Sequence, residues 1–204
     1  MLKISVNYAL LFFLICLGIF SCREKSITKA DLVRYINNPE NGFTKSVSLH
    51  SMQIGVTNQP WQLIARNRLK KKTSTGNPVS LKDFSSKYFF ILSLSNQGRE
   101  ALRNLSFNSY SEIVQVMSFR MSKYISAQPD NLKPVEPLEC LFQPTYGMAN
   151  SNNILLVFDK KSFAECKRLK ITISEFGLNI GNQNFDFNFN DLDYYSTLNY
   201  AQLL

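Results

Sequence analysis

A chain of 204 residues with 45% hydrophobic side chains is too apolar to be disordered and long enough to bury a core of its own, a length that suits one domain. Lys and Arg number 23 against 15 Asp and Glu, a net charge of +8 that favours anionic partners. The one histidine, His50, excludes a multi-histidine metal centre and weakens any triad that needs histidine as its base.

Lys3 precedes an apolar run, Tyr8 to Phe20, that falls short of the roughly 20 residues a spanning helix needs. The run ends in Leu17-Gly18-Ile19-Phe20-Ser21-Cys22, with a small residue directly before a cysteine. This resembles a bacterial lipoprotein signal. The resemblance implies removal of residues 1–21, lipidation of Cys22 by two or more acyl chains, and a hold on the membrane that one chain would not give. Arg23, where an aspartate would suggest inner-membrane retention, favours the outer membrane by analogy, while Glu24 leaves the periplasmic and surface sides both open. In an exported chain the anionic partners are lipid headgroups, lipopolysaccharide phosphates and acidic proteins, and nucleic acid is not expected.

Residues 22–42 read as a tether and a short helix, and 43–204 as a single domain. Thr28 and Asp31 have capping-box spacing, Ile27 faces Leu32 as a hydrophobic staple, and Asn37-Asn38-Pro39 ends the helix. Glu40-Asn41-Gly42 is a turn. Val47 and Leu49 then alternate in one phase and Met52, Ile54 and Val56 in the other, which predicts a bulge or bend near His50-Ser51. The string Tyr35-Ile36-Asn37-Asn38-Pro39-Glu40-Asn41-Gly42-Phe43-Thr44-Lys45-Ser46 resembles the opening of a group of small lipoproteins of Bacteroidota. It carries no catalytic motif, so the resemblance implies a compartment and no activity.

A short helix is expected over residues 60–69, with Pro60 in its first turn. The basic run Arg66, Arg68, Lys70, Lys71 and Lys72 follows, a candidate patch for anionic headgroups or an acidic partner, and equally a solvated helix end. Tyr88 to Leu94 is the strongest apolar run outside the signal and predicts a central strand. A helical insertion near residues 98–127 is expected next, with Ser109 and Glu112 at capping-box spacing and Ile113, Val114, Met117, Met121, Tyr124 and Ile125 on one face.

Beyond it the pattern returns to strands: Leu138, Cys140 and Phe142; Ile154 to Phe158; Leu169, Ile171 and Ile173; Phe185, Phe187 and Phe189. With the earlier strands these predict a mainly β protein, an antiparallel β-sandwich of roughly six to eight strands that resembles Ig-like envelope domains. After Cys16 and Cys22, only Cys140 and Cys166 remain to pair, and a bridge would add roughly 3 kcal/mol. The alternative is two free thiols.

Candidate chemistry is sparse. Asp186 to Asp193 alternates oxygen-bearing residues as a calcium loop does, but Asp191 stands where an EF-hand has glycine and Thr197 where it has glutamate. A strand with one solvated face explains the same residues. Glu136 with Glu139, or Asp191 with Asp193, are nominal carboxylate pairs that nothing singles out. No phosphate loop, zinc-protease helix or Gly-x-Ser-x-Gly elbow occurs. The expectation is a non-enzymatic, lipid-anchored envelope protein without cofactor or metal, binding another envelope component, a protein. The alternatives are an immunity or accessory lipoprotein of a toxin or secretion system, and a small hydrolase of envelope glycans or lipids.

Overall fold

The computed structural model describes residues 28–71, 81–130 and 132–193. Thr28 caps the first helix, α1 (Lys29–Asn37): its Oγ1 accepts from the Asp31 amide at 3.2 Å and donates to the Asp31 carboxylate at 2.7 Å. Leu32 and Ile36 are its buried face, and Ile27, the expected staple residue, lies outside the described residues. A 3-10 turn (Pro39–Asn41) ends on Gly42 at φ 79°, where a Cβ would stand 2.7 Å from Asp191 Oδ2. Glycine is therefore required twice over, by the left-handed backbone and by the close approach of Asp191.

Strands β1 (Thr44–Leu49) and β2 (Met52–Gln59) form an antiparallel hairpin around His50-Ser51. This corrects the expected bulge or bend. Residues flanking a two-residue turn oppose each other directly, so Leu49 faces Met52 and Val47 faces Ile54 on one side of the sheet. The apparent change of phase is the reversal itself, with His50 at φ 53°.

Two antiparallel sheets form the framework of the described residues. One runs β1-β2-β3-β7-β6, with a two-residue strand, β4 (Arg99–Glu100), also on β3; the other runs β5-β8-β9. Their remaining members are β3 (Lys87–Asn96), β5 (Ile125–Pro129), β6 (Glu139–Gln143), β7 (Asn152–Asp159), β8 (Arg168–Ile173) and β9 (Gln183–Asn188). β3 is central, as its apolar run from Tyr88 to Leu92 requires, because both of its faces are covered. Phe90, Leu92 and Leu94 enter the main core. Phe89 turns the other way, against Ala65 of α2 (Trp61–Lys71) and Phe84 of α3 (Leu81–Ser85).

The main core is shared by the two sheets. Phe90 of β3 meets Phe187 of β9 edge to face at 5.3 Å between ring centroids, and Ile171, Ile173 and Phe185 fill the same layer. A short helix, α5 (Phe189–Asp193), keeps the Phe185/Phe187/Phe189 series buried after the strand has ended.

The segment expected to be a helical insertion over 98–127 is shorter and more varied. It runs from β4 through a 3-10 turn (Ala101–Asn104), α4 (Phe107–Gln115), a π-helical turn (Val116–Arg120) and a second 3-10 turn (Met121–Tyr124) into β5. Ser106 caps α4 in place of Ser109, whose amide it accepts. Ile113, Met117 and Met121 are buried at helical spacing, but Ile125 pairs with Ile173 across the second sheet. Pairing with β8 overrides a four-residue periodicity that reads as helix. Among the described residues no helix is long and apolar enough to cross a membrane.

Candidate functional site

An open cleft of about 690 Å³ lies beside β6. Cys140 and Phe142 point to one face of that strand and Leu141 to the other, yet all three line the cleft, so it follows the strand's free edge. The opposite wall comes from α4 and the π-helical turn through Tyr110, Val114 and Ser118. Two exposed residues of the β6–β7 loop stand nearby: Tyr146, itself in the lining and 79% exposed, and Met148, 85% exposed.

Glu100 builds that loop from beneath. Gln97 and Gly98, both at positive φ, turn β3 tightly into β4 and set Glu100 opposite Ser95. Its carboxylate is 4% exposed and accepts hydrogen bonds from the Thr145 hydroxyl, the amides of Gly147 (2.9 Å) and Ala149 (3.2 Å), and Asn152 Nδ2 (3.3 Å). Asn152 Oδ1 in turn accepts from the Leu102 amide at 2.9 Å. Burial pushes the Glu100 carboxyl up, but the four donors together outweigh it and hold it below the usual carboxylate range. Glu100 therefore stays ionised, with its oxygens engaged in fixing the loop. Tyr146 is held at φ 51°, a conformation rare for a residue with a side chain. Such strain at an exposed aromatic residue persists only because the surrounding hydrogen bonds determine it.

A second, polar recess of about 510 Å³ lies on the outer face of the smaller sheet, where Gln128, Lys170 and Asp186 stand side by side. Asp130 at its rim is already engaged, accepting from the amides of Lys167 (2.9 Å) and Arg168 (3.0 Å).

The residues singled out from the sequence are scattered. Of the two alternatives for Cys140 and Cys166, the structure has the free thiols rather than the bridge. Cys140 sits on β6 opposite Leu156, whereas Cys166 lies in the turn before β8, in the other sheet's path, and donates weakly to the Ala164 carbonyl at 3.5 Å. Burial pushes the Cys140 thiol up to about 12, and burial with the charges of Asp130 and Glu165 raises Cys166. Because the thiolate is the reactive form, native Cys140 is expected to resist iodoacetamide at pH 8 and to react rapidly once urea unfolds the chain. Rapid native labelling of Cys140, read by peptide mass spectrometry, would contradict its burial.

Of the basic run, Arg66 is half-buried on α2; the side chains of Arg68, Lys70 and Lys71, and all of Lys72, lie outside the described residues. His50 occupies a hairpin turn. Asp186 is on the outer face of β9 and Asp191 is beneath Gly42, so the candidate calcium residues are divided between two elements, with the Asp193 side chain and Thr197 outside the described residues. Among the described residues no cluster of three or more His, Cys, Asp or Glu is placed to hold a metal. Sequence reasoning missed Glu100 and the cleft; the one local signal was a Tyr and a Met set in an otherwise polar, turn-forming loop. The chain matches no protein-family model, no curated protein and no solved structure.

Proposed function

We propose that this chain is a non-enzymatic lipoprotein of a bacterial envelope, anchored through Cys22 with the outer membrane favoured, which binds a partner protein through the cleft beside β6. One observation carries the reading. A buried, fully hydrogen-bonded carboxylate fixes a loop so that Tyr146 and Met148 stand in solvent beside an apolar cleft. Large exposed apolar side chains gathered at a preorganised site serve contact, since they lower stability or solubility otherwise. The neighbouring exposed residues Tyr110 and Leu141 extend the same surface. The net positive charge supports an acidic partner, and the basic run from Arg66 to Lys72 supports either that partner or anionic headgroups.

The two-sheet core supports a β-sandwich. Its serial β1-β2-β3 meander is a simpler path than an immunoglobulin Greek key, so the Ig-like likeness is one of layers.

Two measurements in living cells test the reading. Labelled palmitate is expected in the wild type and absent from Cys22→Ala. A photo-crosslinking amino acid at position 141 or 146 is expected to trap one discrete protein species, and the same group at Thr172, on the outer face of the smaller sheet, none. Palmitate retained in Cys22→Ala would overturn the anchoring, and equal trapping at all three positions would overturn the cleft as the binding site.

A further inference from the structure

Apart from the two-residue β4, the two sheets present four outer strands, and three of them are protected. β1 and β9 lie against each other where the sheets meet. β5 is bridged by Val135, which exchanges two backbone hydrogen bonds of 2.8 Å with Ala127. β6 is the fourth. Among the described residues, no backbone hydrogen bond joins Cys140–Gln143 to any strand or loop other than β7. Natural sheets guard an open edge with lysine, proline or a bulge; β6 is Glu-Cys-Leu-Phe-Gln, with one charge at its start and with Pro137 and Pro144 on either side but none within it. The π-helical turn packs near β6, but among the described residues nothing bonds to the strand's free row of backbone donors and acceptors, which opens into the cleft with α4 as the far wall.

From this geometry we infer that the partner enters as an extended segment, alternately apolar and acidic, that adds a strand to β6; the inference rests on the partner-binding reading above. Five residues of β6 offer roughly 17 Å of edge. Strand addition draws affinity from main-chain hydrogen bonds and selectivity from pockets for alternate side chains. Here Tyr110, Val114 and Phe142 take the apolar side chains. The acidic preference comes from charge. Arg103 is an exposed cation in the cleft lining with no ion-pair partner among the described residues, while the Glu100 carboxylate, still charged, is buried and turned into the loop it holds. A second copy of the chain is a poor occupant, because two bodies of the same net positive charge repel.

The full chain in detergent micelles is panned against a phage-displayed random octapeptide library, and synthetic copies of the enriched sequences are measured by fluorescence anisotropy. The expected winners alternate apolar with Asp or Glu. N-methylating every second backbone amide of a winner is expected to weaken binding roughly tenfold, with the intervening amides indifferent. Arg103→Glu is expected to reverse the preference, so that lysine-containing copies of the same peptides bind better than the originals. This gain of binding cannot come from misfolding.

A flat N-methyl scan, or enrichment without alternation, overturns strand addition. If crosslinks at Leu141 and Tyr146 nevertheless persist in cells, partner binding at the cleft survives and only the strand-addition inference falls; if both fail, both readings fall. Binding to phosphatidylglycerol vesicles with no peptide enrichment would assign the edge to a lipid surface, and a dimer abolished by Leu141→Lys would assign it to a second copy. Either result would overturn the acidic segment.

Discussion

Replacing Glu100 by alanine is expected to lower the unfolding free energy by about 2–3 kcal/mol, the range for losing hydrogen bonds to a charged group when the donors left behind are neutral. The loss arises because the Thr145 hydroxyl, the Gly147 and Ala149 amides and the Asn152 amide group lose their common acceptor together. Each hydrogen bond to a charged group contributes about 1.5–3 kcal/mol, but four donors sharing one carboxylate do not add. Glu100→Gln keeps the shape and one acceptor oxygen while turning an NH2 toward donors, so it is expected to fall between the wild type and alanine. Urea midpoints at constant m-value measure both.

The same carboxylate gives the protein an acid limit. Its folded pKa lies below its unfolded one, so the linked stability is fully present above the unfolded value and is lost as pH falls through the folded value. Glu175 behaves alike: burial raises it, but acceptance from the amides of Gly177 (2.6 Å), Asn179 (3.0 Å) and Gly181 (2.6 Å) lowers it overall. Stability is therefore expected to decline on acidification below the ordinary carboxyl range, and less steeply in Glu100→Gln, which has lost one of the two groups. Parallel pH profiles for the wild type and Glu100→Gln would show that the Glu100 charge is not what holds the loop.

Phe90→Ala is the second large effect, expected at about 3–5 kcal/mol for a buried phenylalanine removed from a close-packed core. Phe90 is fully buried and meets Phe158 within its own sheet and Phe187 from the other, both edge to face. If one core unites the sheets, Phe187→Ala is expected to cost a similar amount and the double variant less than the sum, by about 0.5–1.5 kcal/mol for the lost aromatic pair. Trp61, the one tryptophan, sits on α2, which covers the outer face of the larger sheet, so its fluorescence reports on the other side of β3. Fluorescence and far-ultraviolet circular dichroism are expected to give one coincident transition in every variant. Separate transitions in Phe187→Ala would mean that the smaller sheet unfolds on its own.

The two variants also separate stability from recognition. Phe90 is not among the cleft-lining residues, so Phe90→Ala at a temperature where it stays folded should still crosslink its partner from position 141. Glu100→Gln should weaken crosslinking while still folded, because it frees the loop that presents Tyr146.

The elements that could be read from the sequence are those whose cause is local. Thr28 and Asp31 cap a helix because their spacing alone brings hydroxyl, amide and carboxylate together. Tyr88 to Leu94 is a central strand because a run with six apolar residues of seven is stable only when both faces are covered. β7, β8 and β9 likewise follow from alternation or an unbroken apolar run. What only the tertiary structure decided depends on distant partners. The Ile113 to Ile125 periodicity could not tell that its last member pairs with Ile173, nor could the phase change at His50 distinguish a bend from a reversal. Glu100 and Asn152 are 52 residues apart in the chain, and nothing in either neighbourhood announces that one carboxylate will organise the other's loop. The open edge of β6 is more distant still from any local signal. An edge is a property of what does not pair with a strand, and periodicity within five residues holds no information about that.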